Sequence, residues 1–271
     1  MNPKLTALHE QIRRSSPLVI AYSGGVDSAY LLAEAHRVLG DQVLGVIADS
    51  PSLPRAALKE ALEVAEQIGA RVEVVQTAEF ENPQYTANPP NRCYFCKAEL
   101  FSKLDALAEQ RGFRAIAYGE NADDMQQVRP GRQAATEFSI IAPLRDANLT
   151  KVEIRELSRA LGLATADAPA QPCLSSRIPW GTPVTTEALG MIERGEALVR
   201  SFGFRVFRVR HFVETNGSRA RVQIAPEEMT RLPEIAGELE NGLVALGYHA
   251  VEIDPEGYRS AAPVGSSKIN S

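Results

Sequence analysis

The stretch Ser23-Gly24-Gly25-Val26-Asp27-Ser28, "SGGVDS", stands directly after the apolar run "PLVIAY" (17–22) and before Leu31, Leu32, Ala35, Val38 and Leu39, which recur at helical spacing. A short apolar run bounded by proline and glycine reads as a buried parallel strand, so the hexapeptide is a strand–turn–helix junction. Two glycines let the backbone approach an anion closely. Several N–H groups at the helix start point at that anion, and Ser23 and Ser28 add hydroxyl donors. Asp27 would repel a bare phosphate, so it makes sense as a ligand or anchor for Mg²⁺ held by the phosphates. The plainer alternative is a glycine turn with a Ser/Asp helix cap. The stretch is neither a Walker A loop, lacking Gly-Lys-Ser/Thr, nor a G-x-G-x-x-G dinucleotide loop.

Working outward, "QVLGVIAD" (42–49), "RVEVVQT" (71–77) and "RAIAYG" (114–119) read as three further strands. A helix is expected from about Pro54 to Gly69, a loop over 80–92, and a helix after Cys96 marked by Leu100, Leu104, Leu107 and Ala108. Thr150 with Glu153 has the form of a capping box, opening a helix to about Leu161. Alternating strands and helices predict an α/β fold, a Rossmann-like parallel sheet with helices on both faces. Ligands in such folds sit at the carboxyl ends of the strands, near the point where strand order reverses. The second half differs. A Pro-, Ala- and Ser-rich segment (164–186) precedes a helix over about 187–202. The alternating strands "RVFRVRHFV" (205–213) and "RARVQIA" (219–225) follow, joined by a turn containing Asn216-Gly217. A helix over about 233–246 and the strand "HAVEID" (249–254) complete a smaller C-terminal α+β domain. The expected organisation is a nucleotide domain over 1–165, a linker over 166–186 carrying Cys173, the α+β domain over 187–257 and a disordered tail over 258–271.

Composition excludes several classes. With 271 residues, 44% hydrophobic and 23% charged, the chain is globular rather than fibrous or disordered. No apolar run approaches the ~20 residues of a membrane helix, and the amphipathic N-terminal stretch lacks a signal-peptide core. The expectation is a cytoplasmic protein, where cysteines stay reduced and serve metals or chemistry rather than disulfides. A net charge of −5 gives no global attraction to nucleic acid or anionic membranes.

Two of the three cysteines lie at C-x-x-C spacing in "NRCYFCK" (91–97), and Cys173 is far downstream in "PAQPCLSSRIPWG". Three is odd for disulfides and one short of a structural zinc site. On "RVFRVRHFV" the strand period puts Arg208 and Arg210 on one face, and Arg219 and Arg221 share a face of the next strand. If those strands pair, four guanidiniums share one side, which suits a phosphate or, alternatively, a solvated sheet face. Asp123 and Asp124 follow a strand end, where they either help a magnesium ion or cap a helix. Trp180 reads as a packing residue.

"SGGVDS" resembles the pyrophosphate loop of the N-type ATP pyrophosphatases, a group that includes GMP synthetase, NAD synthetase and the tRNA thiolases. Within that group, "NRCYFCK", "YGENADD" (118–124), "RPGRQAA" (129–135), "PCLSSRIPWG" (172–181) and "RVRH" (208–211) together resemble the LarE family of sulfur insertases, over roughly residues 15 to 255. The resemblance implies the ATP pyrophosphatase fold, with ATP and Mg²⁺ held by Ala21, Ser23, Gly24, Gly25, Asp27, Ser28, Ala48, Asp49 and Gly119, and with Asp124 as a further magnesium residue. It implies adenylylation of the carboxylates of pyridinium-3,5-biscarboxylic acid mononucleotide and their conversion to thiocarboxylates, with release of AMP and pyrophosphate. The product would serve the nickel-pincer cofactor of lactate racemase. By the same resemblance Ser176, Arg177, Glu196, Arg208 and Arg210 bind or line the substrate site. Some members carry only the cysteine that Cys173 matches, and it surrenders its own sulfur. This chain departs from them through Cys93 and Cys96. Three thiolates can hold three irons of a [4Fe–4S] cluster and leave the fourth iron open for sulfide; zinc with His211 or another fourth ligand is the alternative. The expected partners are the small nucleotide substrate, a sulfide source of unknown kind, other proteins of nickel-pincer cofactor synthesis and a second copy of the chain in a homo-oligomer. Two rival functions use the same features. A tRNA thiolase would grip RNA with the arginine face, but no arginine-rich tail or RNA module supports it. A non-enzymatic adenine-nucleotide redox sensor would have no use for a loop suited to pyrophosphate departure.

Overall fold

Four parallel strands carry the first half: β1 (Leu18–Ala21), β2 (Val43–Asp49), β3 (Val72–Gln76) and β4 (Ala115–Tyr118), in the spatial order β3-β2-β1-β4. Here a computed structural model describes residues 2–126 and 130–258; Arg129 of the "RPGRQAA" motif and the predicted tail beyond 258 lie outside them. The chain winds from β1 through β2 to β3 and then returns to the other side of β1, where Ala21 stands beside Tyr118. Strand order therefore reverses between β1 and β4, and a crevice opens at their carboxyl ends.

Alternation along the strands feeds two cores. Leu18, Ile20, Val43 and Ile47 face one side, where they pack with Leu8, Ile12, Leu31, Leu32, Ala61 and Ile154 from four helices. Val19, Leu44 and Val46 face the other, against Phe101, Leu104, Ala134 and Ala135. Both faces are buried, which is why these strands read as continuous apolar runs rather than alternating ones.

The helix Arg92–Arg111 corrects one expectation. The C-x-x-C pair was expected in a loop ahead of a helix, yet Cys93 and Cys96 lie in the first two turns of the helix itself. The core contacts explain it. Tyr94, Ala98, Phe101, Leu104 and Ala108 all pack on the same core, so the helical period reaches back through the cysteine pair to Pro90, the breaker that precedes it.

The described residues form two units: one from the stretches 2–82 and 91–171, the other from 83–90 and 172–258. The second unit is built on β5 (Phe207–Glu214), β6 (Gly217–Ile224) and β7 (Tyr248–Ile253), in the order β5-β6-β7. β5 and β6 are antiparallel, and β7 runs parallel to β6. Phe207, Val209, Ala220, Val222 and Ile224 face a core closed by Val199, Leu239 and Leu243 of the helices Thr186–Ser201 and Leu232–Ala245. No helix among the described residues is long and apolar enough to cross a membrane.

Candidate functional site

In the first unit, the turn after β1 is shaped by its backbone. Gly24 has φ +75°, and a Cβ there would lie 2.6 Å from that of Ala61. The turn is therefore closed to any side chain on conformational and steric grounds alike. Ser28 Oγ accepts from Ser23 N at 3.2 Å and donates to Gly25 O at 3.0 Å, which ties the loop end to the start of the helix Val26–Leu39. The first N–H groups of that helix have no intrahelical partner and face the crevice end of β1, an anion site by construction. Gly119, just beyond β4, closes the other wall. A Cβ on it would come within 2.7 Å of Ser28 N, so the two strand ends approach as closely as bare backbone allows.

Asp27 sits in the first turn of that helix. Lys151 Nζ donates to its Oδ2 at 2.7 Å, while its Oδ1 is buried and accepts no hydrogen bond among the described residues. A buried, unsatisfied carboxylate oxygen beside a phosphate cradle fits a hard divalent cation such as Mg²⁺. At the end of β2, the carboxylate of Asp49 is held by Arg55 and Gln76, and the Arg55 contact above all keeps it below the usual carboxylate range. Of the two acids after β4, Asp123 accepts from Lys151 N at 2.8 Å and so caps the helix Lys151–Ala160. Asp124 is buried and accepts from Asn121 N.

A cavity of about 330 Å³ opens beside Gly119 and is lined by Cys93, Lys97, Tyr118, Asp124 and Arg132 among others. It brings predicted nucleotide residues and one predicted cysteine together within this unit. Glu120 lies buried in its wall between Arg132 and Arg145, each 2.9 Å away. Burial pushes its carboxyl up, but the hydrogen bond from Arg132 and the charges of both arginines help outweigh burial and hold it below the usual range. Cys93 is exposed and Cys96 half-buried; three residues apart on one helical turn, they are side-by-side neighbours.

In the second unit a hydrogen-bond network surrounds Cys173. The Cys173 carbonyl accepts from Ser176 Oγ at 2.7 Å and from Arg177 Nη1 at 3.1 Å. Arg177 is only 3% exposed and makes a bidentate pair with Glu196, at 2.8 and 3.0 Å. Glu196 Oε1 also accepts from Val209 N of β5, and Arg210 Nη1 donates to Ser176 O at 2.7 Å. Thus Cys173, Ser176, Arg177, Glu196 and Arg210 form one connected set, although Arg177 and Glu196 direct their polar groups at each other and at the chain. Arg208 stacks on Tyr258, 4.6 Å from the ring centre. Burial first, and then the charge of Arg177, push the Arg208 and Arg210 guanidiniums below their ordinary value. An anion beside them would relieve that strain.

Strand register puts the four arginines on one face: Arg210 opposes Arg221, Arg208 opposes Gln223, and Phe212 opposes Arg219. The face is divided. Arg219 and Arg221 flank Phe212 and pair with Glu252, and Arg219 also pairs with Glu214. Arg210 donates instead to the neutral oxygens of Gln223 and Ser176. His211, the fourth zinc ligand considered from the sequence, is buried on the opposite face, with Nδ1 3.3 Å from Tyr248 Oη. Burial lowers its pKa. No three His, Cys, Asp or Glu side chains are gathered as a metal centre among the described residues. Trp180, expected to pack, is 44% exposed in the loop before the helix Thr186–Ser201.

Sequence reasoning missed Lys151, which carries no motif and reaches Asp27 only because the capping box starts its helix there. It also missed Tyr85 and Asn88, hidden in a segment read as loop.

No protein-family model matches the chain. It is similar to the uncharacterized protein slr1717 of Synechocystis, with 41% identity over 262 residues and 96% of each chain covered. It is 30% identical over 244 residues to the pyridinium-3,5-bisthiocarboxylic acid mononucleotide synthase of Lactiplantibacillus plantarum, covering 90% of this chain and 87% of that one. A GMP synthase of Thermomicrobium roseum is 29% identical over 211 residues, covering 68% of this chain and 39% of that one.

Proposed function

For a chain that belongs to the pyridinium-3,5-bisthiocarboxylic acid mononucleotide synthase family, the LarE family, we propose the family reaction itself. The protein uses ATP to adenylylate the two carboxylates of pyridinium-3,5-biscarboxylic acid mononucleotide and converts each into a thiocarboxylate. Its product then passes to the other proteins of nickel-pincer cofactor assembly. The observation that carries this reading is the intact phosphate cradle at the strand-order reversal, in a chain similar over nine-tenths of its length to that synthase.

The residues divide the work. The backbone N–H groups of Gly24 to Ser28 hold the pyrophosphate as it leaves, a preorganised anion site at the helix start. Asp27 offers its buried Oδ1 to Mg²⁺, which neutralises phosphate charge when bound. The Arg208–Arg210 pair takes the phosphate of the mononucleotide, consistent with the effect of burial and of Arg177 on both guanidiniums. Ser176, Arg177 and Glu196 hold the Cys173 loop.

For sulfur delivery we favour a [4Fe–4S] cluster bound by Cys93, Cys96 and Cys173. The donor set fits in kind: three cysteines outside any disulfide, two of them on one helical turn. Bound there, the cluster would supply an iron without a protein ligand, able to carry sulfide. A zinc site completed by His211 is disfavoured by that residue's place in the apolar core.

The test is product analysis. AMP and pyrophosphate should form only when the carboxylated mononucleotide is present, and ADP with orthophosphate would overturn the adenylylation reading. Release dependent on RNA instead would favour a tRNA thiolase, and no release would favour a sensor.

A further inference from the structure

The segment Pro83–Pro90 lies in sequence between β3 and the cysteine helix but folds as part of the second unit. Its contacts there are specific. Asn88 is completely buried and adopts φ +55°. Its side-chain amide donates to Pro179 O at 2.8 Å and Thr182 O at 2.9 Å, and its carbonyl accepts from Gly181 N at 2.9 Å. Thr86 O accepts from Val184 N at 2.8 Å, and Tyr85 Oη shares a 2.9 Å hydrogen bond with Ser175 Oγ. Tyr85 and Ser175 are 1% and 0% exposed.

Every one of these partners falls within residues 175–184, the run that directly follows Cys173. Arg177 holds the near end of the same loop, through Pro172 O, Cys173 O and Ser176 Oγ. The loop is thus gripped from two sides. Leu174, Ser175, Arg177 and Ile178 are all buried while Cys173 stays partly exposed. A buried amide without partners is costly, so three satisfied backbone contacts at one asparagine fix the loop's path in a single way. A left-handed backbone at a non-glycine residue adds a further local constraint.

We propose that Pro83–Pro90 is a positioning strap for the sulfur-bearing loop, with Asn88 and Tyr85 setting where the Cys173 thiol is held. The inference rests on the sulfur-transfer reading above and applies whether Cys173 acts as a cluster ligand or as a donor. Both residues belong to the second unit, whereas the nucleotide cradle is built entirely within the first. Loosening the strap therefore slows the attack of sulfur on the adenylylated carboxylate and leaves the adenylylation half-reaction alone. Misplacement of a reacting group by about 1 Å typically costs up to about a hundredfold in rate.

Two substitutions separate position from folding. Asn88→Gly keeps the φ +55° backbone available but removes the amide, and Tyr85→Phe removes one hydroxyl. In single turnover both variants should keep the wild-type burst of pyrophosphate. Thiocarboxylate formation should fall about ten- to a hundredfold. Iodoacetamide labelling of Cys173, read by peptide mass, should become several-fold faster. If burst and thiocarboxylate fall together, or both stay wild-type, the strap is overturned. Unchanged or slower Cys173 labelling overturns it as well, and this arm needs no substrate. A wild-type protein that gives no pyrophosphate burst overturns the sulfur-transfer reading instead.

Discussion

The nucleotide cradle and the Cys173 loop are both held tightly, but by opposite means. The cradle is made of backbone: Gly24 forced to positive φ, Gly119 pressed against Ser28 N, and helix N–H groups aimed at the strand ends. The loop is made of side chains that reach across sequence separations of 19 to 94 residues, from Glu196 to Arg177 and from Asn88 to Thr182. Backbone sites tolerate little change at their glycines and much elsewhere. Side-chain sites lose geometry one hydrogen bond at a time.

Substitutions can break this contrast. The largest effect is expected at the cradle. Asp27→Ala should abolish pyrophosphate release while thermal melting stays close to wild type, if its carboxylate serves an ion, as proposed, rather than the core. Full activity would remove Asp27 from the metal site. Gly119→Ala should be nearly as damaging, since its methyl group would meet Ser28 N at 2.7 Å and the backbone cannot give way. Nucleotide titration would reveal that loss.

Next comes the buried pair. Glu196→Gln leaves Arg177 without its counter-charge and should destabilise the second unit by about 3–5 kcal/mol, read by denaturant unfolding. A loss below about 1 kcal/mol would mean that the pair does not organise the loop.

The divided arginine face sharpens the comparison further. Arg208→Ala and Arg210→Ala should each weaken mononucleotide binding roughly ten- to a hundredfold, or about 1.5–3 kcal/mol, without affecting ATP. Arg219→Ala and Arg221→Ala, whose charges are already met by Glu214 and Glu252, should weaken it far less. Equal losses across all four would erase the division.

The smallest effect concerns Glu153. Hydrogen bonds from Lys4 first, and then from the Thr150 backbone, hold its pKa at about 2, against an ordinary 4.5. The unfolded chain therefore takes up this proton first as pH falls. Its stabilising contribution is complete above about pH 4.5 and disappears between that value and about 2. Glu153→Gln should lower the melting temperature slightly at pH 7, and the gap from wild type should close toward pH 2. The side chain is a third exposed, so solvent screening keeps the shift small.

Legibility in the sequence followed the same contrast. β1 to β4, the capping box at Thr150 and the glycine turn between β1 and its helix were readable because each is a local pattern: an apolar run, a cap spacing, a glycine pair. The β5–β6 register was readable from the strand period and the turn near Asn216. The helix start at Arg92 was missed because Tyr94 and Ala98 were not counted as part of the apolar period that continues through Phe101. Lys151 beside Asp27 and Asn88 beneath Thr182 had no signal at all, since 124 and 94 residues separate the partners. No local spacing encodes such meetings; only the folded chain does.

The strap has a further consequence, in the order of synthesis. Asn88 leaves the ribosome about ninety residues before the carbonyls that satisfy its amide, at separations of 90, 91 and 94. Until then it belongs to no completed structure, and closing so long a loop must precede any reward from its contacts. The second unit thus cannot finish folding as an independent C-terminal piece. A chain cut at Gln171 would strand the Ser175–Val184 loop without Tyr85, Thr86 and Asn88, so the two units form one product of translation that is complete only when both ends of the strap have been made.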